Sequence, residues 1–182
     1  MQSIKILKNW LLDNANETHY LFAPSDLRAL FPHLSDSAFK TLLSRAASSG
    51  LLTHVCRGVY LYKRAMPYDG LLLFRIASLL RRGQFNYISL ETALSNIGLI
   101  SQIPINCITI MSSGRSSRIV CAPFGSIEFV KTNKRPASLA KDLIYDEACG
   151  MWRANAKLAL RDAKRTGRSI DLIDWENVDE FI

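Results

Sequence analysis

The sequence predicts an α+β chain of two domains, residues 1–68 and 69–182. Three observations carry that expectation. Apolar residues recur at helical spacing in several segments separated by short β-rich runs. Met66-Pro67-Tyr68-Asp69-Gly70 breaks the pattern about a third of the way along. The 182 residues, 48% hydrophobic and 21% charged, hold enough apolar material for one large core or two small ones, which excludes disorder as the dominant state.

In the first part, Ile4, Leu7, Leu11 and Leu12 define an amphipathic helix over residues 3–14. Asn14-Ala15-Asn16-Glu17 is a polar break. Pro24-Ser25-Asp26 reads as a second helix start, with Ser25 as the cap, Leu27, Leu30 and Phe31 as the apolar side and Pro32 as the stop. Ser35-Asp36 starts a third helix. There Phe39, Leu42, Leu43, Ala46 and Ala47 fall at i, i+3, i+4, i+7 and i+8, and Gly50 supplies the left-handed end. Leu51–Cys56 and Val59–Tyr62 are then two β-rich runs joined by Arg57-Gly58, a tight hairpin signal.

Helix, short helix, helix and β-hairpin in about sixty residues is the layout of a winged helix-turn-helix, whose third helix is narrow enough to enter a DNA major groove. The candidate DNA contacts follow from that layout. Lys40 and Arg45 can meet phosphates or guanine edges, and Ser37, Thr41 and Ser44 can donate to phosphates. Arg57 stands at the wing tip, with Lys63 and Arg64 at the wing base. The same layout also serves protein docking, and the same basic face also suits RNA.

In the second part, Leu71–Arg82 reads as an apolar helix, with Arg81 and Arg82 opposing the negative end of its dipole. Asn86-Tyr87-Ile88 is a short β-like lead into a helix capped by Ser89. Cys107–Met111, Arg118–Ala122 and Ile127–Lys131 are strand-like runs joined by short loops, which implies a small antiparallel meander. Lys131, Lys134 and Arg135 form a basic cluster beyond it. Residues 137–160 read as largely helical, interrupted by Gly150, and Thr166-Gly167-Arg168-Ser169 ends that pattern.

No residue pattern points to catalysis. His19, His33 and His54 stand apart from any nucleophile, and Gly114-Arg115-Ser116-Ser117 lacks the glycines and Gly-Lys-Ser/Thr ending of a phosphate loop. Asp142, Asp146 and Glu147 share the last predicted helix without a third ligand type. Cys56, Cys107, Cys121 and Cys149 are too widely spaced for a metal or redox motif and are expected to be free thiols. The expectation is therefore a protein with no catalytic residues, cofactor or metal. No apolar run exceeds four residues, as at Leu71–Phe74, and the N-terminus lacks a signal peptide, so a cytoplasmic protein that neither spans a membrane nor leaves the cell is expected.

Charge points to a polyanionic partner. The formal net charge is +7. Residues 1–68 carry eight Lys/Arg against four Asp/Glu, and residues 69–170 carry fifteen against seven. Residues 171–182 hold five acids (Asp171, Asp174, Glu176, Asp179 and Glu180) and no base.

A set of segments in order adds a resemblance. Arg57-Gly58-Val59-Tyr60 closes the hairpin. Tyr87-Ile88-Ser89-Leu90-Glu91-Thr92-Ala93-Leu94 precedes Gly98-Leu99-Ile100-Ser101-Gln102-Ile103-Pro104, and Ile108-Thr109-Ile110 and Ala156–Asp162 follow. Over about residues 1–175 the chain resembles the AbiEi family of antitoxin–repressors of abortive-infection, type IV toxin–antitoxin systems. Where that family commonly has Ala-Thr-Pro-Glu, this chain has Ala154-Asn155-Ala156-Lys157. The resemblance implies a winged helix that binds double-stranded DNA at inverted repeats in the operon's own promoter. It also implies a C-terminal antitoxin domain that counters a nucleotidyltransferase-like toxin, often without stably binding it.

Overall fold

A computed structural model describes residues 2–101, 106–168, 170–175 and 178. Among these residues the chain is mixed α/β, with seven α-helices and two sheets. It divides into two compact units, Met1–Gly70 and Leu71–Ile182.

The first unit runs α1 (Gln2–Asn14), β1 (Leu21–Phe22), α2 (Pro24–Arg28), α3 (Asp36–Ser48), β2 (Thr53–Cys56) and β3 (Val59–Leu61). Its antiparallel sheet has the order β1-β3-β2. The helical periodicities become burial directly: Leu7 and Leu11 of α1 and Phe39, Leu42, Leu43 and Ala46 of α3 close over Phe22, Leu27 and Phe31. Ser35 caps α3 by accepting from the Ala38 amide at 3.3 Å. Arg57-Gly58 turns the β2–β3 hairpin, with Gly58 at φ 81°, where a side chain would be strained.

Two details of this unit depart from the sequence expectation. Ser25 does not cap α2. The cap is Ala23, whose amide donates to Asp26 Oδ2 at 2.7 Å, so the acid in the first turn reaches back to do the capping. Strand β1 was not expected at all, because two residues carry no periodicity and their partner β3 lies about forty residues away.

The second unit contains α4 (Leu72–Leu80), β4 (Asn86–Ile88), α5 (Leu90–Asn96), β5 (Cys107–Ser112), β6 (Ser117–Cys121), β7 (Gly125–Lys131), α6 (Pro136–Leu139), β8 (Leu143–Asp146), β9 (Met151–Ala154) and α7 (Ala156–Thr166). Its six strands are ordered β6-β7-β5-β4-β9-β8. The expected antiparallel meander is corrected here. β6 and β7 do form an antiparallel hairpin, but β7 then lies parallel to β5, leaving β6 at the edge. Burial explains the choice. β5 is enclosed on both faces for nearly its whole length and must be central, whereas β6 alternates and leaves Val120 67% exposed.

The helix expected over residues 137–160 is corrected as well. Its middle is the antiparallel β8–β9 hairpin, turned through Gly150 at φ 63°. The three acids assigned to that helix therefore do not share a helical face. Asp146 accepts from Arg153 Nη2 at 2.5 Å, and Asp142 is hydrogen-bonded to Arg161.

A polar network is buried between the sheet and α7. Asp162 is fully buried and accepts from Tyr87 Oη at 2.8 Å, Ser89 Oγ at 3.0 Å and Lys134 Nζ at 2.8 Å. Burial first, and then the Asp162 carboxylate, hold the Tyr87 phenol well above its ordinary range. Ser89 stands at the N-cap of α5 as expected, but its hydroxyl donates into this network instead of capping the helix, and Lys134 is bound into it rather than free within the basic cluster. Next to Ser89, Leu90 takes φ 55° to turn from β4 into α5. Thr109 locks that turn, with Oγ1 donating to the Ser89 carbonyl at 3.0 Å and its amide donating to Thr92 Oγ1 at 2.7 Å. The Tyr87–Leu94 segment is thus a fold-holding element.

Arg168, just past α7, donates to both oxygens of Glu128 on β7, at 2.6 and 3.0 Å, and to Glu91 on α5 at 2.9 Å. Glu128 is held below its ordinary value, first by the Arg168 hydrogen bonds, and Asp146 below its own, first by Arg153. Their folded values lie below their unfolded ones. Both contributions are therefore complete above about pH 5.5 and drain away as pH falls through the folded values. Urea unfolding at about pH 6 and about pH 3 should show a larger stability loss in the wild type than in Glu128→Gln/Asp146→Asn. Equal losses would contradict the assignment.

Candidate nucleic-acid interface

The candidate surface is the outward side of α3 with the β2–β3 hairpin. Successive helical residues step about 100° around the axis, so Ser37, Lys40, Thr41, Ser44, Arg45 and Ser48 occupy an arc of about 140° opposite the buried side. Ser37, Lys40, Thr41, Ser44, Arg45, Arg57, Lys63 and Arg64 are all exposed. The structure brings the first five together on α3. A hydroxyl stripe of Ser37, Thr41 and Ser44 runs along the middle of the arc, with a cation at each margin.

Each margin opens onto its own groove. On one side Lys40 lines a groove with Pro24, Arg28 and Tyr60, where burial raises the Tyr60 phenol. On the other, Arg45 shares a groove of about 550 Å³ with Ser3, Ile4, Ser37 and Thr41. Lys40, Arg45, Arg57, Lys63 and Arg64 form no ion pair among the described residues. The acid on α3 is Asp36 at its first turn, which faces Arg28 Nη2 at 3.4 Å. Arg28 in turn is fixed from several sides: it donates to the carbonyls of Phe31 and Leu34 and lies 5.2 Å from the Phe39 ring centroid. It is a bracket for the α2–α3 turn rather than a spare cation.

Two hydroxyls are already engaged. Thr41 Oγ1 donates to the Ser37 carbonyl at 2.9 Å, so in this rotamer it offers only lone pairs, and Ser37 Oγ lies 3.2 Å from Ser35 Oγ. Ser44 Oγ makes no protein hydrogen bond among the described residues. Arg57 occupies the hairpin tip between paired Cys56 and Val59.

Lys63 and Arg64 sit in the 3-10 turn Lys63–Ala65 immediately after β3. They line a groove of about 460 Å³ with Lys5 and Lys8 of α1. Sequence reasoning missed Lys5 and Lys8. Their i, i+3 spacing on the polar side of α1 was the available signal, but only the fold places them beside Lys63 and Arg64. Ile4 and Ser49 belong to both this groove and the Arg45 groove, so a basic path continues from the α3 face past the start of α1.

The histidines pack beside rings. His19 lies 4.7 Å from Phe22, His33 6.5 Å from Phe31 and His54 5.1 Å from Tyr60, centroid to centroid. All four cysteines are free thiols, and burial pushes Cys149 up to about 11. Among the described residues no group of three or more His, Cys, Asp or Glu side chains gathers to hold a metal, and no helix is long and apolar enough to cross a membrane. Gln102, Ile103, Pro104, Ser169, Glu176, Asp179 and Glu180, named in the sequence reading, lie outside the described residues.

Fold and surface together define a mixed α/β protein of two compact units, the first presenting a basic, hydroxyl-bearing helix face. No family model and no curated protein matches the chain. Among solved structures it resembles the RV2827C protein from Mycobacterium tuberculosis, with a TM-score of 0.55 and 14% identity over 90% of this chain and 60% of that one. The likeness is one of fold, and the present chain spans 60% of the length of that protein.

Proposed function

We propose that the chain is a cytoplasmic antitoxin–repressor of the AbiEi type. In this reading the Met1–Gly70 unit is a winged helix, α3 enters the major groove, and the Arg57–Gly58 tip reaches the flanking backbone. The target is double-stranded DNA carrying inverted repeats in the chain's own promoter. The Leu71–Ile182 unit counters a nucleotidyltransferase-like toxin, and the chain itself carries out no catalysis. One observation carries the reading: the exposed arc of α3 is a hydroxyl stripe bounded by Lys40 and Arg45, neither of them engaged by a carboxylate among the described residues. The order of elements in that unit supports it, as does the second basic groove formed by Lys5, Lys8, Lys63 and Arg64.

Fluorescence anisotropy with a duplex from the upstream region tests it. Lys40→Ala and Arg45→Ala should each weaken binding by about fivefold or more, because a cation lost from a phosphate or guanine contact costs about 1–3 kcal/mol. Both side chains are exposed, so their removal should leave the thermal transition within about 0.5 kcal/mol of the wild type. Unchanged affinity in both variants would remove α3 from the interface. Stable capture of a structured RNA or of a neighbouring gene's product, with no duplex binding, would replace the repressor reading with an adaptor.

A further inference from the structure

The six-stranded sheet of the Leu71–Ile182 unit ends on one side in β6 and on the other in β8. An edge strand presents unpaired N–H and C=O groups, and a charge, a proline or a bulge normally blunts it. β6 carries the exposed cation Arg118. β8 has no such guard. Leu143-Ile144-Tyr145-Asp146 holds no base and no proline, and its one acid is tied to Arg153. Ile144 and Tyr145 are nevertheless 63% and 50% exposed. The apolar surface continues onto β9, where Trp152 meets its cross-strand partner Tyr145 edge to face at 5.2 Å.

The backbone direction of β8 follows from one bond beyond the strand. The Asn155 amide donates to the Asp142 carbonyl at 2.9 Å. Alternation along the antiparallel ladder then turns the polar groups of Asp142, Ile144 and Asp146 toward β9. Those of Leu143 and Tyr145 point outward, and among the described residues no strand pairs with them.

We propose that β8 pairs antiparallel with β8 of a second copy of the chain, about a two-fold axis at Ile144. In that register Leu143 and Tyr145 exchange their outward backbone bonds with the partner's Tyr145 and the partner's Leu143. Ile144 faces the partner's Ile144 across a non-hydrogen-bonded position, where Cα atoms come to about 4.5 Å and side chains meet most closely. Charge selects both the occupant and the register. Lys141 and Glu147 stand three residues before and three after Ile144, and both are exposed with no ion pair among the described residues. A two-fold axis at Ile144 sets each Lys141 opposite the partner's Glu147, whereas an axis at Leu143 or Tyr145 separates them. Asp142 and Asp146 also come opposite one another across the seam. Each is already bonded to an arginine of its own chain, Arg161 and Arg153, so no bare carboxylates meet. A foreign strand could use the apolar residues, but only a copy of this chain returns the cation–anion pair at both ends of the seam. The inference does not rest on the duplex-binding reading of α3.

Sedimentation velocity of the full chain without nucleic acid tests it. A seam one short strand long is small, so the dimer should be weak, with Kd on the order of 10–100 μM. Ile144→Lys places two ammonium groups face to face and should weaken association more than about thirtyfold. Lys141→Glu and Glu147→Lys should each weaken it about tenfold, and Lys141→Glu/Glu147→Lys should restore it, an exchange only this register explains. Under mild oxidant Ile144→Cys should cross-link to a covalent dimer, while Val120→Cys on β6 should stay monomeric. All these side chains are exposed, and an unchanged circular dichroism spectrum confirms the fold of each variant. A chain monomeric up to about 1 mM would leave the edge to a foreign strand and overturn the proposal. Association that survives Ile144→Lys, or that the double charge exchange fails to restore, would overturn it too.

Discussion

Replacing Asp162 by alanine is expected to destabilise the Leu71–Ile182 unit by about 3–5 kcal/mol, the cost of breaking a buried charge pair from one side. The carboxylate is fully buried and serves three donors, Tyr87 Oη, Ser89 Oγ and Lys134 Nζ. Alanine leaves the Tyr87 and Ser89 hydroxyls, both on fully buried residues, without that acceptor, and leaves Lys134, 22% exposed at its side chain, without its counter-charge. The orphaned hydroxyls, at about 1–3 kcal/mol each, make up part of that loss. Against a total stability of about 5–15 kcal/mol, that is a large fraction. Near-UV circular dichroism should place the thermal transition more than about 10 °C lower. Asp162→Asn keeps an acceptor and should lose much less. A shift of under about 3 °C for the alanine variant would show that the network is not what holds α7 to the sheet.

The second large effect is on affinity. A face that works by neutralising phosphates releases counterions, and about six contacts give a slope near −5 in log affinity against log salt. Between about 50 and about 200 mM salt the duplex affinity should fall about a thousandfold. The six contacts would come from Lys40, Arg45, Arg57, Lys63, Arg64 and one of Lys5 or Lys8, so each removal should flatten the slope by about one. A slope near zero would mean that the exposed cations are merely solvated.

Local signals in the sequence carried through to the structure. The spacing of Phe39, Leu42, Leu43 and Ala46 predicted which side of α3 is buried, and Arg57-Gly58 predicted the hairpin, because both are set within a few residues. What escaped the sequence is long-range. β7 lies beside β5 rather than following β6 in a meander, because central strands are chosen by burial on two faces and not by loop length. Leu143-Ile144-Tyr145 and Met151-Trp152 are short and flanked by charges, so residues 137–160 read as helix until β9 finds β4 about sixty-five residues upstream. In the candidate interface, Lys5 and Lys8 joined Lys63 and Arg64 only through the packing of α1. Asp162 carried no signal of its own in the sequence, because its buried partner Tyr87 lies 75 positions away.

Amide hydrogen exchange on the full chain, with and without an upstream duplex, reads directly which surface the proposed duplex binding would use. Added protection is expected in residues 36–48 and around the 56–59 hairpin tip, with none confined to residues 143–154. Protection that spares α3 and the hairpin while appearing elsewhere would contradict it.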